Sequence, residues 1–498
     1  FAVGKAIMAP AVSSNSSVSA TWPVKTSGPR GTTSTYTLSY ANNGAASANL
    51  YIKDSLPAGF SYVANSAVIS CAGGTGLTST AADAADAAQA RGETLSPLHG
   101  VPVTIKINID VQGEATTDGV AAFKDNIATS DSPLVQSMRE AGAIIVGRNN
   151  APAFSLRWFT DNAFHGRTLN PFNPAVTPGG SSGGAAAATA LGMGAIAHGN
   201  DYGGSIRYPA WACGVVGLRT TVGRVPSYKA SAPNRIISNQ QMSVQGPLTR
   251  SVADARLALQ VMAQGSPLDP QWVPAPLTYQ DSAAPTRVAV FRQWAHSPVD
   301  PSVRDAVDQA ARWLEAAGYV LEEVEPPHFA EVSALQFQMV MNDMRRAGEP
   351  FMREHGDDAL RRSLSHYMAT QPVWDRDQYL EALTRRFNIA RDWAVFFERH
   401  PLLLMPNSWE RQFPIDDDLR SPERTAQILL AQSPLLGTAV LGLPGLSVPT
   451  GVVDGLPVGV QLVAGKFRED RLLAAGEVIE RAAGFSALEQ LLAQAAAR

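Results

Sequence analysis

Two kinds of hydrophobic patterning meet near residue 80. Upstream, Tyr36, Leu38 and Tyr40 alternate with Thr37 and Ser39, Asn42-Asn43-Gly44 supplies turn residues, and Leu50 and Ile52 resume the alternation. A period of two bounded by turn residues predicts a β-hairpin. Downstream, helical and strand patterns alternate. Residues 80–91 form an Ala-rich helix closed by Gly92, and Val101–Ile105 is a short apolar strand that delivers Lys106 at its end. Ser132-Pro133 opens a helix through Leu134 and Met138 to Ala141, Gly142 stops it, and the strand 143–146 follows. A capping residue, proline in the first turn and glycine at the end agree with one another. Residues 184–191 and 194–197 read as a further helix and strand. Asp300-Pro301 starts a helix with Val303, Val307, Ala310 and Leu314 inward, Gly318 ends it, and 319–324 is a strand. Tyr379, Leu383, Phe387, Ala390 and Ala394 make a helical stripe expected to face the core. Strands alternating with helices predict a layered α/β domain over 80–498, preceded by a small β-rich segment over 1–79.

Composition narrows the class. The chain has 498 residues, 45% hydrophobic and 17% charged, with a net charge of −4. It is long enough for a large core, and without a Lys/Arg cluster neither nucleic acid nor an acidic membrane surface is expected as a partner. The two cysteines, Cys71 and Cys213, lack metal-ligand spacing, so no metal site and no disulfide framework is implied. The uncharged runs 183–197 and 435–453 are Gly/Ala-rich or broken by proline and do not read as membrane spans.

The candidate chemistry lies in two glycine-rich turns, Gly179-Gly180-Ser181-Ser182-Gly183-Gly184 and Asp201-Tyr202-Gly203-Gly204-Ser205-Ile206-Arg207. A serine becomes a nucleophile only when a base takes its proton and donors hold the oxyanion it creates. Glycines beside Ser205 let successive N–H groups converge on one point, at Tyr202, Gly203, Gly204 and Ser205. Ser181 precedes a helix, where on its own it reads as a cap. Lys106, set directly after a core strand, invites a desolvated and therefore neutral amine. Residues 180–184 formally fit the G-x-S-x-G elbow, but that elbow follows a strand. Here the approach, Asn170 to Gly179, carries three prolines. A phosphate loop needs a lysine that no position between Lys124 and Lys229 supplies. Of eight histidines, His99 and His198 are nearest for a Ser-His-Asp triad, and nothing distinguishes either one.

Several segments in order carry a specific resemblance: Pro97-Leu-His-Gly-Val-Pro-Val-Thr-Ile-Lys106, Gly166-Arg-Thr-Leu-Asn-Pro171, Thr177-Pro-Gly-Gly-Ser-Ser-Gly-Gly184, Asp201-Tyr-Gly-Gly-Ser-Ile-Arg207, Cys213-Gly-Val-Val-Gly-Leu-Arg-Thr220, Gly442-Leu-Pro-Gly-Leu-Ser-Val-Pro449 and Asp454-Gly-Leu-Pro-Val-Gly-Val-Gln461. From about residue 80 to 490 the chain resembles the amidase-signature family of serine amidohydrolases. The resemblance implies an α/β/α fold around a mixed sheet and cofactor-free hydrolysis of C–N acyl bonds in amides or carbamates. It further implies a triad of Ser205 as nucleophile, Ser181 as bridging serine and Lys106 as base, with a cis peptide at Gly180–Ser181 and Asp201 paired with Arg207 to brace the loop.

Gly179, Gly180, Trp158, Phe159 and Trp409 are candidates for substrate contact, with Phe164 a further aromatic near the motifs, and loops 225–245 and 405–435 are expected to shape the pocket. A cytoplasmic monomer or homodimer acting on a small uncharged molecule is the expected setting, or a secreted or surface-attached one if residues 1–79 are a genuine module. Two departures stand out: Ile107 follows the lysine where an acidic residue is common, and Tyr202 is bulkier than the usual residue. The stretch from Tyr36 to Gly44 with Asp54 to Gly59 resembles small Ig-like repeats of bacterial surface proteins, in place of the family's usual N-terminal helices. Two other functions share parts of these features: membership of a multi-protein aminoacyl-tRNA amidotransferase, and a non-catalytic role at a cell surface.

Overall fold

The computed structural model describes residues 16–20, 38–42, 80–93, 95–279 and 285–496. The chain forms two compact units, Phe1–Gly76 and Leu77–Arg498. In the first, strand β1 (Ser16–Ala20) pairs antiparallel with β2 (Leu38–Asn42), Ser16 opposite Asn42 and Ala20 opposite Leu38. A strand therefore stands close to Tyr36–Tyr40, but its partner lies upstream. The turn at Asn43-Gly44, the return strand through Leu50 and Ile52, the stretch 54–59 and Cys71 fall outside the described residues.

The second unit carries β3 (Pro102–Lys106), β4 (Ile144–Asn149), β5 (Asp161–Asn162), β6 (Gly166–Arg167), β7 (Ile196–Asp201), β8 (Val216–Arg219), β9 (Val244–Thr249), β10 (Arg287–Val290), β11 (Val320–Glu323), β12 (Leu402–Pro406), β13 (Gly445–Val453) and β14 (Leu456–Ala464). Strands β5 and β6 form a two-residue ribbon, and the other ten make one sheet in the order β11-β10-β12-β14-β13-β8-β9-β7-β3-β4. It is mixed: β3 runs parallel to β4 and β7, β10 parallel to β11 and β12, and the strands between pair antiparallel.

Successive side chains of a strand point to opposite faces, and both faces of this sheet are covered. In β12, Leu402 and Leu404 enter one core with Val307 and Leu314 of helix Pro301–Ala316 and Leu472 of helix Glu469–Ala483. Leu403 and Met405 enter the opposite core with Val332 and Met339 of helix Phe329–Ala347. The result is the expected α/β/α layering.

The punctuation residues act as read. Helix Thr80–Ala90 is followed by Gly92, and helix Pro133–Glu140 by Gly142, both glycines at positive φ. Asp300 caps Pro301–Ala316 by accepting the Ser302 N–H. The stripe on helix Arg376–Arg399 is corrected in part, since Tyr379, Leu383 and Ala390 are half-buried against the core while Phe387 and Ala394 are exposed. The helix exists, but Phe387 is 67% exposed, and the buried positions are Ala382, Ile389, Trp393, Phe396 and Phe397. Both stripes have helical spacing, so periodicity finds the helix. The buried positions carry three aromatics against the two of the expected stripe, and this helix packs on helix Phe329–Ala347.

Candidate active site

Strands β3 and β7 are parallel neighbours, with Val103 beside Ile196 and Thr104 beside Ala197. Their C-terminal ends therefore emerge together, β3 ending on Lys106 and β7 on Asp201. Crevices outside the carboxyl ends of parallel strands are where α/β sheets bind ligands. A cavity of ≈ 340 Å³ opens here, and Ser181, Asn200, Tyr202, Gly203 and Ser205 line it.

Lys106 is fully buried, and its Nζ lies 2.7 Å from Ser181 Oγ, 3.1 Å from Ser182 Oγ and 2.7 Å from Asn200 Oδ1. Burial pulls its pKa down to about 7, with Lys229 adding to the shift and the carboxylates of Asp118 and Asp201 opposing it. A neutral amine is therefore accessible near neutral pH. The peptide before Ser181 is cis, at the position the resemblance implies. The Ser205 hydroxyl makes no hydrogen bond among the described residues, although Ser205 C=O accepts the Ser182 N–H at 3.2 Å, which ties the two serine turns together.

The loop after β7 is held from beneath. Asp201, Arg207 and Arg219 are all fully buried. Asp201 receives Arg207 Nε at 2.9 Å, Arg219 Nη1 at 3.1 Å and the Gly204 N–H at 2.8 Å. Burial alone would raise its carboxyl pKa, but the two guanidiniums hold it far below the usual carboxylate range. The predicted Asp201–Arg207 brace is present, and Arg219 joins it as a second cation.

Loop carbonyls are taken by side-chain donors. Gln336 Nε2 donates to Tyr202 C=O at 2.8 Å and Trp158 Nε1 to Gly203 C=O at 3.1 Å. The N–H groups of Tyr202, Gly203 and Ser205 have no partner among the described residues, whereas that of Gly204 is used by Asp201. Gly204 has φ +104, and a Cβ there would lie 2.7 Å from Leu435, so the loop requires glycine twice over.

The other expected residues divide. Trp158 lines the cavity. Phe159 and Trp409 do not: Phe159 stacks on Phe413 in the core, and Trp409 is fully buried among Phe291, Trp294 and Phe329, donating to Ser433 Oγ at 2.8 Å. Phe164 is 39% exposed, away from the cavity. Gly179 and Gly180 serve packing rather than the cavity wall, since a Cβ at Gly180 would sit 2.5 Å from Arg157 C=O, and one at Gly179 equally close to Pro209. An aromatic or a glycine gives the same sequence signal in a core as in a pocket, which is why these six candidates look alike until the chain is folded.

His198 is a structural group. Burial holds its pKa at about 3, its Nδ1 accepts the Lys106 N–H at 3.4 Å, and its Nε2 pairs with Gln245 Oε1 at 2.9 Å. Loop 225–245 contributes Ser227, Lys229 and Arg235 to the cavity, as expected, but loop 405–435 contributes nothing. Its place is taken by helix Phe329–Ala347, with Phe337, Val340 and Met344, and by Met352 of the next helix, Glu349–His355. No motif marks these. Asn108, Asn200 and Ser182 also escape sequence reasoning, though adjacency to Lys106, Asp201 and Ser181 is available as a signal.

Comparisons with known proteins agree with this geometry. The family model described as Amidase matches residues 73–473. The indoleacetamide hydrolase of Bradyrhizobium diazoefficiens is 43% identical over 406 residues, covering 81% of this chain and 78% of that protein. A component of the glutamyl-tRNA(Gln) amidotransferase of Moorella thermoacetica is 34% identical, over 80% of this chain and 86% of that protein. A bacterial aryl acylamidase of the amidase-signature enzymes superposes with a TM-score of 0.70 at 27% identity, over 84% of this chain and 89% of that one. A mixed sheet that carries a buried lysine and two serine turns to one cavity, in a chain matched along most of its length, belongs to the amidase-signature family, and this protein is a hydrolase of amide C–N bonds.

Proposed function

We propose that the protein hydrolyses small uncharged amides with an arylacetyl or similar aromatic acyl group, through a Ser205–Ser181–Lys106 relay and an acyl-enzyme. The observation that carries this reading is the buried Lys106 amine 2.7 Å from Ser181 Oγ, beside a cavity that Ser205 also lines. Neutral Lys106 takes the Ser181 proton as Ser181 takes that of Ser205. Ser205 Oγ then bonds to the acyl carbon, and the carbonyl oxygen gathers negative charge opposite the free N–H groups of the Tyr202–Ser205 turn. The proton returns through Ser181 to the leaving nitrogen, the C–N bond breaks, and the amine departs. Water, deprotonated by the same relay, releases the acid.

An aromatic acyl group is supported by the apolar residues that line the same cavity as the serines, Leu156, Trp158, Phe337, Val340 and Met344. The greater likeness to an indoleacetamide hydrolase than to the amidotransferase component points the same way. Carbamates offer Ser205 the same carbonyl and fall within the reading.

Two results test it. The base works only when neutral, so as pH falls through about 7 protonation of Lys106 removes it. The kcat/KM of an uncharged amide should then drop about tenfold per pH unit on the acid side. A rate that stays flat from roughly pH 8 to pH 5 contradicts lysine as the base. Val340→Phe adds volume to the apolar wall, where overpacking costs about 1–3 kcal/mol. It should raise KM for an arylacetamide roughly 5- to 150-fold and leave acetamide turnover near its original value. Equal effects on both amides would remove the aromatic group from that wall.

A further inference from the structure

A line of hydrogen bonds leaves the lysine amine separately from its contact with Ser181. Lys106 Nζ donates to Asn200 Oδ1 at 2.7 Å, Asn200 Nδ2 to Asn108 Oδ1 at 3.0 Å, Asn108 Nδ2 to Ser155 Oγ at 3.0 Å, and Ser155 Oγ to Asp118 Oδ1 at 2.7 Å. Every donor points the same way, and the line ends on a carboxylate. We propose that Asp118 is a positioning residue that, through Ser155, Asn108 and Asn200, fixes which face of the Lys106 amine meets Ser181.

The argument is one of donors and acceptors. A neutral lysine amine has two N–H donors and one lone pair. Lys106 Nζ has three neighbours: Asn200 Oδ1, Ser182 Oγ and Ser181 Oγ. The lone pair reaches Ser181 only if the other two neighbours accept. An asparagine amide presents either oxygen or NH₂, and a hydroxyl either gives or receives, so nothing in Asn200, Asn108 or Ser155 sets the direction by itself. An ionised carboxylate is acceptor-only. It obliges Ser155 to donate to it, Asn108 to donate to Ser155 and Asn200 to donate to Asn108, which leaves Asn200 Oδ1 facing the lysine. Reversed, Asn200 would offer NH₂ and occupy the lone pair that the relay needs.

The backbone is committed to this arrangement. Asp118 (φ 47), Phe154 (φ 54) and Ser155 (φ 54) are all in the left-handed region, and all three line the cavity. Such residues concentrate where a surrounding structure fixes a functional geometry. The Asp118 N–H also donates to the C=O of Ile107, the residue that follows the lysine, at 3.2 Å. Burial raises the Asp118 carboxyl pKa, while Lys229, the Ser155 hydroxyl and Lys106 favour its ionised form. Lys229 Nζ donates to Asn108 C=O at 3.2 Å, beside the same line, and the charged groups acting on Lys106 are Asp118, Asp201 and Lys229.

The inference rests on Lys106 as the base, and the test separates the two. The acid limb of wild-type kcat, together with loss of activity in Lys106→Ala, establishes the base first. Asp118→Asn keeps the shape, and asparagine tolerates the left-handed backbone, but it removes the acceptor-only end and the negative charge. Expected are a fall in kcat of about tenfold or more at unchanged KM, and an acid limb displaced to lower pH, because the lost carboxylate had favoured protonated Lys106. Ser155→Ala cuts the line and leaves the charge, so kcat should fall with the limb unmoved. If Asp118→Asn does not fold, the Ser155→Ala result decides. A kcat within twofold of wild type in the folded variants, or a change in KM alone, overturns the inference and makes Asp118 a substrate contact or a packing residue.

Discussion

Replacing Ser205 with alanine should lower kcat/KM for an aryl or arylacetyl amide by on the order of 10⁴–10⁶-fold while the protein stays folded. The size of the effect follows from the proposed division of labour. Bond formation to the acyl carbon has no substitute when the hydroxyl is gone, and what remains is binding and the oxyanion N–H groups. Stability should change little, because the Ser205 hydroxyl has no hydrogen-bond partner among the described residues to lose. The measurement is kcat/KM beside a thermal melt, with labelling by a fluorophosphonate as a second readout. Wild type should label and Ser205→Ala should not. Turnover of an anilide by Ser205→Ala at the wild-type rate would sink the proposed mechanism, whereas loss of both label and melting transition would mean only that the variant had unfolded.

The second large effect is on stability. Asp201→Ala should cost about 3–5 kcal/mol, because it leaves guanidiniums buried without their counter-charge. Asp201 is the carboxylate that Arg207 and Arg219 share, and none of the three reaches solvent. The substitution also strands the N–H groups of Gly204 and Ile206, which donate to the same side chain. Asp201→Asn keeps an acceptor oxygen and should lie between wild type and alanine. Urea unfolding with activity measured in parallel checks this. An Asp201→Ala protein within about 1 kcal/mol of wild type would show that water or rearrangement compensates the arginines, against the expected cost of unpaired buried charge.

How far the sequence foretells the structure varies by element. The helices at Pro133–Glu140 and Pro301–Ala316 are legible because cap, proline, apolar spacing and terminal glycine are local signals. Lys106, Ser181 and Ser205 are singled out by unusual company, a lysine closing an apolar strand and serines set among glycines. Their meeting is not locally encoded, since it depends on β3 and β7 being sheet neighbours. The misreadings share a cause. Spacing alone assigns Phe387 to a buried face, and nearness to motifs assigns Trp409 to the pocket, but which face of a helix or ring is covered depends on partners far along the chain. Residues such as Val340 and Met344 carry no warning at all, because an apolar residue lining a cavity obeys the same pattern as one filling a core. Asn200 and Asn108 are hidden differently: amides declare a role only when their donors and acceptors can be followed from neighbour to neighbour.

The cavity walls come from separate parts of the polypeptide. One stretch, residues 108–205, carries both serines together with Leu156 and Trp158, while Phe337, Val340, Met344 and Met352 come from 336–352 and further lining from 227–245. On the proposed reading, part of the selectivity is thus written on a stretch of the gene apart from the one that carries the reaction. Mutation in the helical stretch can try new acyl groups without touching the lysine or the serines, so a lineage built on this scaffold can change its diet while its chemistry is inherited intact.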